Sequence, residues 1–195
     1  HGAGTLWYDW KAKCNPEEDF ENARAPCYQG GWCEGLRHGR GVMQYPTGNV
    51  YNGEWFRGKK HGRGVMHWAD RGEVYDGEWS EGVQNGIGTH TWISTCAPNE
   101  SVTILHRVSK AMHNRYEGSF VNGRRDGFGI FFYANGSRYE GMWRDNIKDG
   151  RGIFIFGDGH VFHGDFSRDR IADPTSTGKR SPKSTRKTKK HASIG

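Results

Sequence analysis

The chain has 195 residues, a formal net charge of +6 at pH 7 and only 33% hydrophobic residues. Its mean hydropathy is −0.90, and no apolar run approaches the ~20 residues of a membrane-spanning helix. Aromatic residues make up 13% of the chain and glycines number 30, so we expect a flat aromatic core. Since the chain begins at His1 and His1–Gly4 has the composition of a turn, we expect a fragment of a longer array.

The four cysteines indicate neither a disulfide framework nor a metal site. Cys27 and Cys33 flank one predicted strand, and an extended strand of that length separates them by roughly 20 Å, too far for a disulfide. No C-x-x-C pair occurs. We therefore predict a reducing, cytosolic compartment.

One sequence pattern recurs six times along the chain. Each copy has an aromatic residue at a position numbered 0, Gly at +2 and Trp or Phe at +4. The copies begin at residues 28, 51, 75, 116, 139 and 162, which are 23, 24, 41, 23 and 23 residues apart. This alternation predicts a strand with its aromatic residues on one face. The predicted structural aromatic row is Tyr28, Trp32, Tyr51, Trp55, Tyr75, Trp79, Tyr116, Phe120, Tyr139, Trp143, Phe162 and Phe166.

A candidate turn pair follows at +10 and +11 in the first five copies. It comprises His38-Gly39, His61-Gly62, Asn85-Gly86, Asp126-Gly127 and Asp149-Gly150. Asn-Gly and Asp-Gly favour tight hairpin turns, so we predict the turn of each hairpin here. A second Gly at +13 and an aromatic residue at +17 then indicate a return strand. Further turns at Thr47-Gly48, Asn135-Gly136 and Asp158-Gly159 lead to the next copy.

The predicted fold class is all-β, an elongated array of consecutive antiparallel β-hairpins with a disordered basic C-terminal tail. One hairpin is marginal alone, but stacked hairpins bury the aromatic row continuously. We predict an array over 1–172, containing a partial repeat at 1–10, an insert at 11–27, repeats from 28, 51, 75, 116 and 139, an insert at 93–115 and a terminal half-repeat from 162. The tail is 173–195. Both inserts are expected to emerge from the same edge of the array. Either this edge binds a partner, or the inserts are loops whose growth the fold tolerates.

The pattern Y-x-G-x-W followed by G-x-x-x-[H/N/D]-G-x-G resembles the MORN repeat family. A closer likeness lies in three segments, which resemble the MORN-repeat radial spoke head proteins of motile cilia: Glu81–Trp92, Tyr116–Trp143 and Phe166–Ala172. The resemblance implies a non-catalytic scaffold in the ciliary axoneme. It also implies a large multi-protein complex, with other radial spoke head subunits and central apparatus proteins as partners.

No catalytic residues, cofactor or metal ligands are predicted. His38 and His61 occupy the place held elsewhere by Asn85, Asp126 and Asp149, which indicates a role in turn geometry. The chain contains no nucleotide fingerprint, phosphate-binding loop or nucleophile elbow. We therefore predict that this chain is not an enzyme.

Two surfaces of the predicted array are candidates for interaction. The first is a candidate basic edge of Arg37, Lys59, Lys60, Arg124, Arg125 and Lys148, which suits an acidic protein or an anionic head group unless neighbouring acids neutralise it. The second is a candidate interface opposite the aromatic row, at +14 and +16 of the later repeats. Its residues are Ile130, Phe132, Ile153 and Ile155, and a second chain or this chain's own insert would cover them.

The tail from 173 to 195 holds seven Lys or Arg residues and one acid, whereas the array is balanced with 21 of each sign. Its charge suits an acidic protein surface, nucleic acid or anionic lipid, and a flexible solubilising end is the open alternative. We expect an acidic protein partner and no nucleic acid. An alternative function for the whole chain is a membrane-associated module that binds anionic phospholipids through the repeats and this tail. A third is a regulatory segment of an enzyme.

Overall fold

A computed structural model describes residues 26–93 and 113–172. The predicted partial repeat at 1–10, most of both inserts and the basic tail lie outside the described residues. The described residues form one open sheet of 12 antiparallel strands, in which each strand pairs with its neighbours in sequence. This architecture is the predicted array of consecutive hairpins. The described part contains no helix that is long and apolar enough to cross a membrane.

The twelve strands make six hairpins, one for each copy of the repeat. Their bounds are β1 Cys27–Cys33, β2 Leu36–Gln44, β3 Val50–Phe56, β4 Lys59–Trp68, β5 Glu73–Ser80, β6 Val83–Trp92, β7 Asn114–Val121, β8 Arg124–Phe132, β9 Arg138–Arg144, β10 Ile147–Ile155, β11 Val161–Ser167 and β12 Arg170–Ile171. Cys27 therefore belongs to β1, and Asn114 and Arg115 belong to β7, although the sequence analysis placed them in the inserts.

The core is a single layer of aromatic rings on one face of the sheet. The tyrosines at position 0 in the second to fifth hairpins, Tyr51, Tyr75, Tyr116 and Tyr139, are fully buried. Each ring lies against two facing glycines. In the second hairpin Gly53 pairs with Gly64, and a Cβ on Gly53 would come within 2.5 Å of the Gly64 Cα and 2.6 Å of the Tyr51 hydroxyl oxygen. Only glycine leaves room for the ring at these two positions.

Hydrogen bonds lock the tyrosines at position 0 within their repeats, and they lock Trp55, Trp79 and Trp143 to the repeat before. The Tyr51 hydroxyl donates to the Glu54 carbonyl at 2.9 Å. The Trp79 indole Nε1–H donates to the Gly64 carbonyl of the preceding hairpin at 2.9 Å. The Trp79 ring also meets the rings of Tyr51 and Tyr75 edge-on, with centroids 5.3 and 5.2 Å apart. The polar ends of the buried aromatic residues are thus paired, as burial requires.

The predicted position of the hairpin turns is wrong. The turns lie at +6 and +7, where Arg57-Gly58 and Glu81-Gly82 take positive φ values of 47°, 80°, 52° and 88°. The His61-Gly62 pair lies inside β4, where the register shifts because Gly53 pairs with Gly64 but Glu54 pairs with His61. Gly62 and Arg63 are therefore an unpaired bulge relative to β3, and Gly62 takes a φ of 55°. The glycine at +11 serves this bulge and not a turn.

The predicted turns between repeats are confirmed. Gly48, Gly136 and Gly159 take positive φ values, and the Gly48 N–H donates to the Tyr45 carbonyl at 2.9 Å. The connection after β4 is looser, because Trp68 pairs with Glu73 around four loop residues. The last hairpin turns at Arg168-Asp169, and its second strand β12 holds only two residues. This turn takes the same +6 and +7 positions as the turns of the other hairpins.

Candidate functional site

The sheet presents an aromatic face and a reverse face, and both carry candidate functional residues. On the aromatic face, ten of the twelve predicted aromatic-row residues are buried, all except Trp32 and Phe162. These two are half-buried and pack against the same core. They lie in β1 and β11, near the two ends of the described sheet, where ring neighbours are present on fewer sides.

Four of the six basic-edge residues lie on the aromatic face, over its rings. The Arg37 guanidinium carbon is 4.2 Å from the Trp55 ring centroid, and the Lys60 Nζ is 4.2 Å from that of Trp79. Arg125 is 4.4 Å from Trp143, and Lys148 lies 5.6 Å from Tyr139. Burial lowers the pKa of Lys60 to about 8 and lowers the pKa of Arg125. These cations cover the core and contribute cation–π attraction.

The other two basic-edge residues lie in exposed ion pairs with the turn of the next hairpin. The Lys59 Nζ is 2.5 Å from a Glu81 carboxylate oxygen, and Arg124 is 2.7 Å from Asp145. The candidate basic edge therefore does not form a row of unpaired cations. Four of its members lie over aromatic rings, and two are neutralised by acids, which is the alternative that the sequence analysis gave for this edge.

The adjacent residues Arg124 and Arg125 provide a matched test of these two environments. We expect Arg125→Gln to lower the free energy of unfolding by about 2 kcal/mol, because a desolvated cation–π contact is lost. The Arg125 Nη2–H bond to the Asn146 carbonyl, at 2.8 Å, is also lost. Arg124→Gln should cost less than about 0.5 kcal/mol, because exposed ion pairs contribute little. Urea unfolding of both variants measures the difference, and equal costs would contradict the assignment.

His90 forms a site that the sequence patterns did not reveal. Its ring stacks on Trp92, with centroids 4.2 Å apart and an angle of 5°, and on Trp68 at 5.6 Å and 18°. Its Nε2 lies 3.2 Å from a Glu73 carboxylate oxygen. Burial lowers the pKa of His90, and it outweighs the opposing effect of Glu73. The only sequence signal is that His90 occupies +15, where other repeats carry Met43, Met66, Phe131 or Phe154.

The depressed pKa of His90 predicts that the protein loses stability in mild acid. Below pH 6.5 the unfolded chain protonates this residue more readily than the folded chain, so the free energy of unfolding falls as pH falls. We expect His90→Met to remove this part of the pH dependence. This variant carries at +15 the same residue as the second repeat, where Met66 stands. Urea unfolding between pH 5 and 8 provides the comparison. Parallel pH profiles for the variant and the unchanged chain would contradict it.

The candidate interface residues Ile130, Phe132, Ile153 and Ile155 lie on the reverse face and are half-buried. Ion pairs within the neighbouring strands separate them. Arg115 lies 2.7 Å from Glu117, and Arg138 lies 2.6 Å from Glu140. Glu140 pairs in register with both Ile130 and Ile153. The reverse face is therefore mixed, and not apolar throughout as the sequence suggested.

More exposed apolar residues lie beside this set, and the sequence analysis missed them. Ile87, Phe128 and Met142 are 59, 57 and 41% exposed on the reverse face. A signal was present, because position +12 carries Arg40, Arg63 or Arg151 in the other repeats. It was overlooked because the pair at +10 and +11 was taken for a turn, so +12 was not recognised as a strand position paired with +3 of the next repeat.

Among residues 26–93 and 113–172, no group of three or more His, Cys, Asp or Glu side chains could hold a metal ion. The described cysteines Cys27 and Cys33 are free thiols at opposite ends of β1.

The MORN repeat family model matches five segments of this chain. The matched residues are 28–50, 51–73, 75–96, 116–138 and 139–161, which together make up more than half of the chain. Each match begins at an aromatic residue of the repeat, and the matches leave out most of the residues between 93 and 115.

Proposed function

Because this chain belongs to the MORN-repeat family, we propose that it is a non-catalytic structural scaffold of the radial spoke head in the axoneme of motile cilia and flagella. MORN arrays are repeats of a non-enzymatic type that serve protein or membrane contacts. In the proposed role, the array holds other spoke head subunits in place through protein–protein contacts that regulated beating requires.

The observation that carries the scaffold role is the unbroken aromatic core. Tryptophan or phenylalanine rings of one hairpin meet the tyrosine of the hairpin before it, as Trp55 meets Tyr28 and Trp143 meets Tyr116. Each hairpin therefore packs on its neighbours, and bending the sheet would separate the rings. Such a strip can hold partners at fixed spacing along about 50 Å, the length of 12 strands at ~4.8 Å each.

The radial spoke assignment is supported by three segments. Glu81–Trp92, Tyr116–Trp143 and Phe166–Ala172 resemble the MORN region of radial spoke head 10 homologue B. They cover β6, most of β7 to β9, and the turn and β12 of the last hairpin. Ile87, Phe128 and Met142 lie within the first two segments, so the resemblance includes the part of the reverse face that departs from the repeat pattern.

The lipid-binding alternative has less support in the described residues. Four cations of the candidate basic edge lie over rings, and Lys59 and Arg124 pair with Glu81 and Asp145. An anionic head group would have to displace these partners. The alternative would then depend chiefly on the tail at 173–195, which lies outside the described residues.

Detergent extraction of cilia tests the proposal. A tagged copy is expressed with and without residues 173–195, and isolated cilia are treated with a non-ionic detergent. We expect the protein to stay with the demembranated axoneme and to leave only with spoke components at high salt. Retention that requires the tail would assign the tail a docking role.

Release by detergent alone, together with the membrane fraction, would contradict the axonemal role. A parallel assay with vesicles containing phosphatidylserine provides the control. Binding to these vesicles that is lost at modest salt, combined with release by detergent, would favour the lipid module.

A further inference from the structure

A column of residues crosses the strands on the reverse face. It is charged near both ends of the array and uncharged in the middle. The residue at +12 of one repeat pairs in register with the residue at +3 of the next. Near the two ends of the sheet these are charged pairs, Arg63 with Glu78 and Arg151 with Asp165. In the middle they are Ile87 with Ser119 and Phe128 with Met142.

The apolar members of this column are open to solvent. Phe128 is 57% and Ile87 is 59% exposed, and Met142 beside Phe128 is 41% exposed. Two residues further along β8, Ile130 adds to this surface, and Glu117 and Glu140 lie in register on either side of it. Exposing this many apolar side chains together costs free energy that burial against a partner recovers.

We propose that this strip, from β4 to β11, is the interface of a two-fold dimer, with a second copy of the chain packed face to face on it. The axis lies between β7 and β8 and runs parallel to the strands. This operation keeps the column aligned with itself and reverses the strand order, so that β4 faces β11, β5 faces β10, β6 faces β9 and β7 faces β8. The inference concerns the chain itself and does not depend on the radial spoke assignment.

Charge complementarity selects a second copy as the occupant. Under this operation Arg63 faces Asp165 of the second copy, and Glu78 faces its Arg151. Ile87 faces Met142 and Phe128 faces Ser119 of the second copy, so no charge lies at the centre of the interface. Each charged residue of the column therefore faces a residue of opposite charge. The two-fold axis repeats both pairs, so each pair occurs twice in the dimer. An isologous interface requires such self-complementarity.

The dimensions of the strip fit a stable dimer. Seven spacings separate β4 from β11, which gives about 34 Å at ~4.8 Å each. With a width of roughly 20 Å, the strip covers on the order of 700 Å² per copy, close to the ~800 Å² that each partner of a stable complex buries. Two twisted sheets packed face to face keep their strands within about 30° of each other, as this arrangement requires.

The first test is the oligomeric state of the 195-residue chain. Sedimentation velocity up to about 100 μM should show a monomer–dimer equilibrium, and Phe128→Lys should raise the dissociation constant about tenfold or more. Leu36→Lys is the matched control, because Leu36 is 46% exposed but lies in β2, which no strand of the second copy faces under this operation. This control should leave the dimer unchanged. Circular dichroism shows whether each variant keeps its fold.

Charge reversal tests the orientation of the two copies. Glu78→Arg alone and Arg151→Glu alone place like charges opposite each other at both ends of the interface, so each variant should dimerise at least about tenfold more weakly. An equimolar mixture of the two variants should form a heterodimer of near-normal affinity, because both opposed pairs are then of opposite sign. A merely structural defect in either variant would not be repaired by mixing.

A chain that stays monomeric up to about 100 μM overturns the proposal, and the strip then belongs to another occupant. A dimer that is insensitive to Phe128→Lys overturns it as well. If both charge variants lose the dimer and the mixture does not recover it, the proposed two-fold arrangement, in which β5 faces β10, is wrong.

Discussion

Each repeat depends on one packing arrangement, a tyrosine ring held against two facing glycines. The glycines at +2 and +13 provide the space, and any side chain there would meet the ring or the opposite backbone. The tyrosine hydroxyl is bonded within its own repeat, as Tyr75 is to the Glu78 carbonyl at 2.9 Å. Because the next repeat's Trp or Phe closes over this unit, a repeat is complete only when its neighbour is present.

This constraint explains which parts of the fold the sequence predicts. Aromatic residues at 0 and +4 and the glycines at +2 and +13 must recur, so hairpins, their order and the buried face follow from the spacing. The turns at +6 and +7 recur less strictly, because +7 is glycine in the first four repeats but Asn146 and Asp169 in the last two. Arg57-Gly58 and Asp145-Asn146 share only a tolerance of positive φ. The glycine at +11 is more regular than the turn itself, because the bulge it forms brings +2 and +13 into register.

The surface was harder to predict, because a charge pattern does not specify what each charge contacts. The sequence pattern places Arg37 and Lys60 in a basic edge, yet both lie over indole rings. Ring stacking around His90 depends on Trp68 and Trp92, whose approach only the sheet register fixes. By contrast, Ile87 and Phe128 were detectable as departures from the repeat. In a repeat protein, such departures on an exposed face are the residues to examine for partner contacts.

Residue-resolved amide hydrogen exchange of Trp79→Leu tests most directly whether stability passes from each hairpin to its neighbour. Trp79 joins the second and third hairpins through Gly64 and Tyr51. The nearest-neighbour account predicts that protection falls in β3–β6 and is retained in β9–β11. An equal loss of protection across all twelve strands would contradict it, and so would a loss confined to β5 and β6.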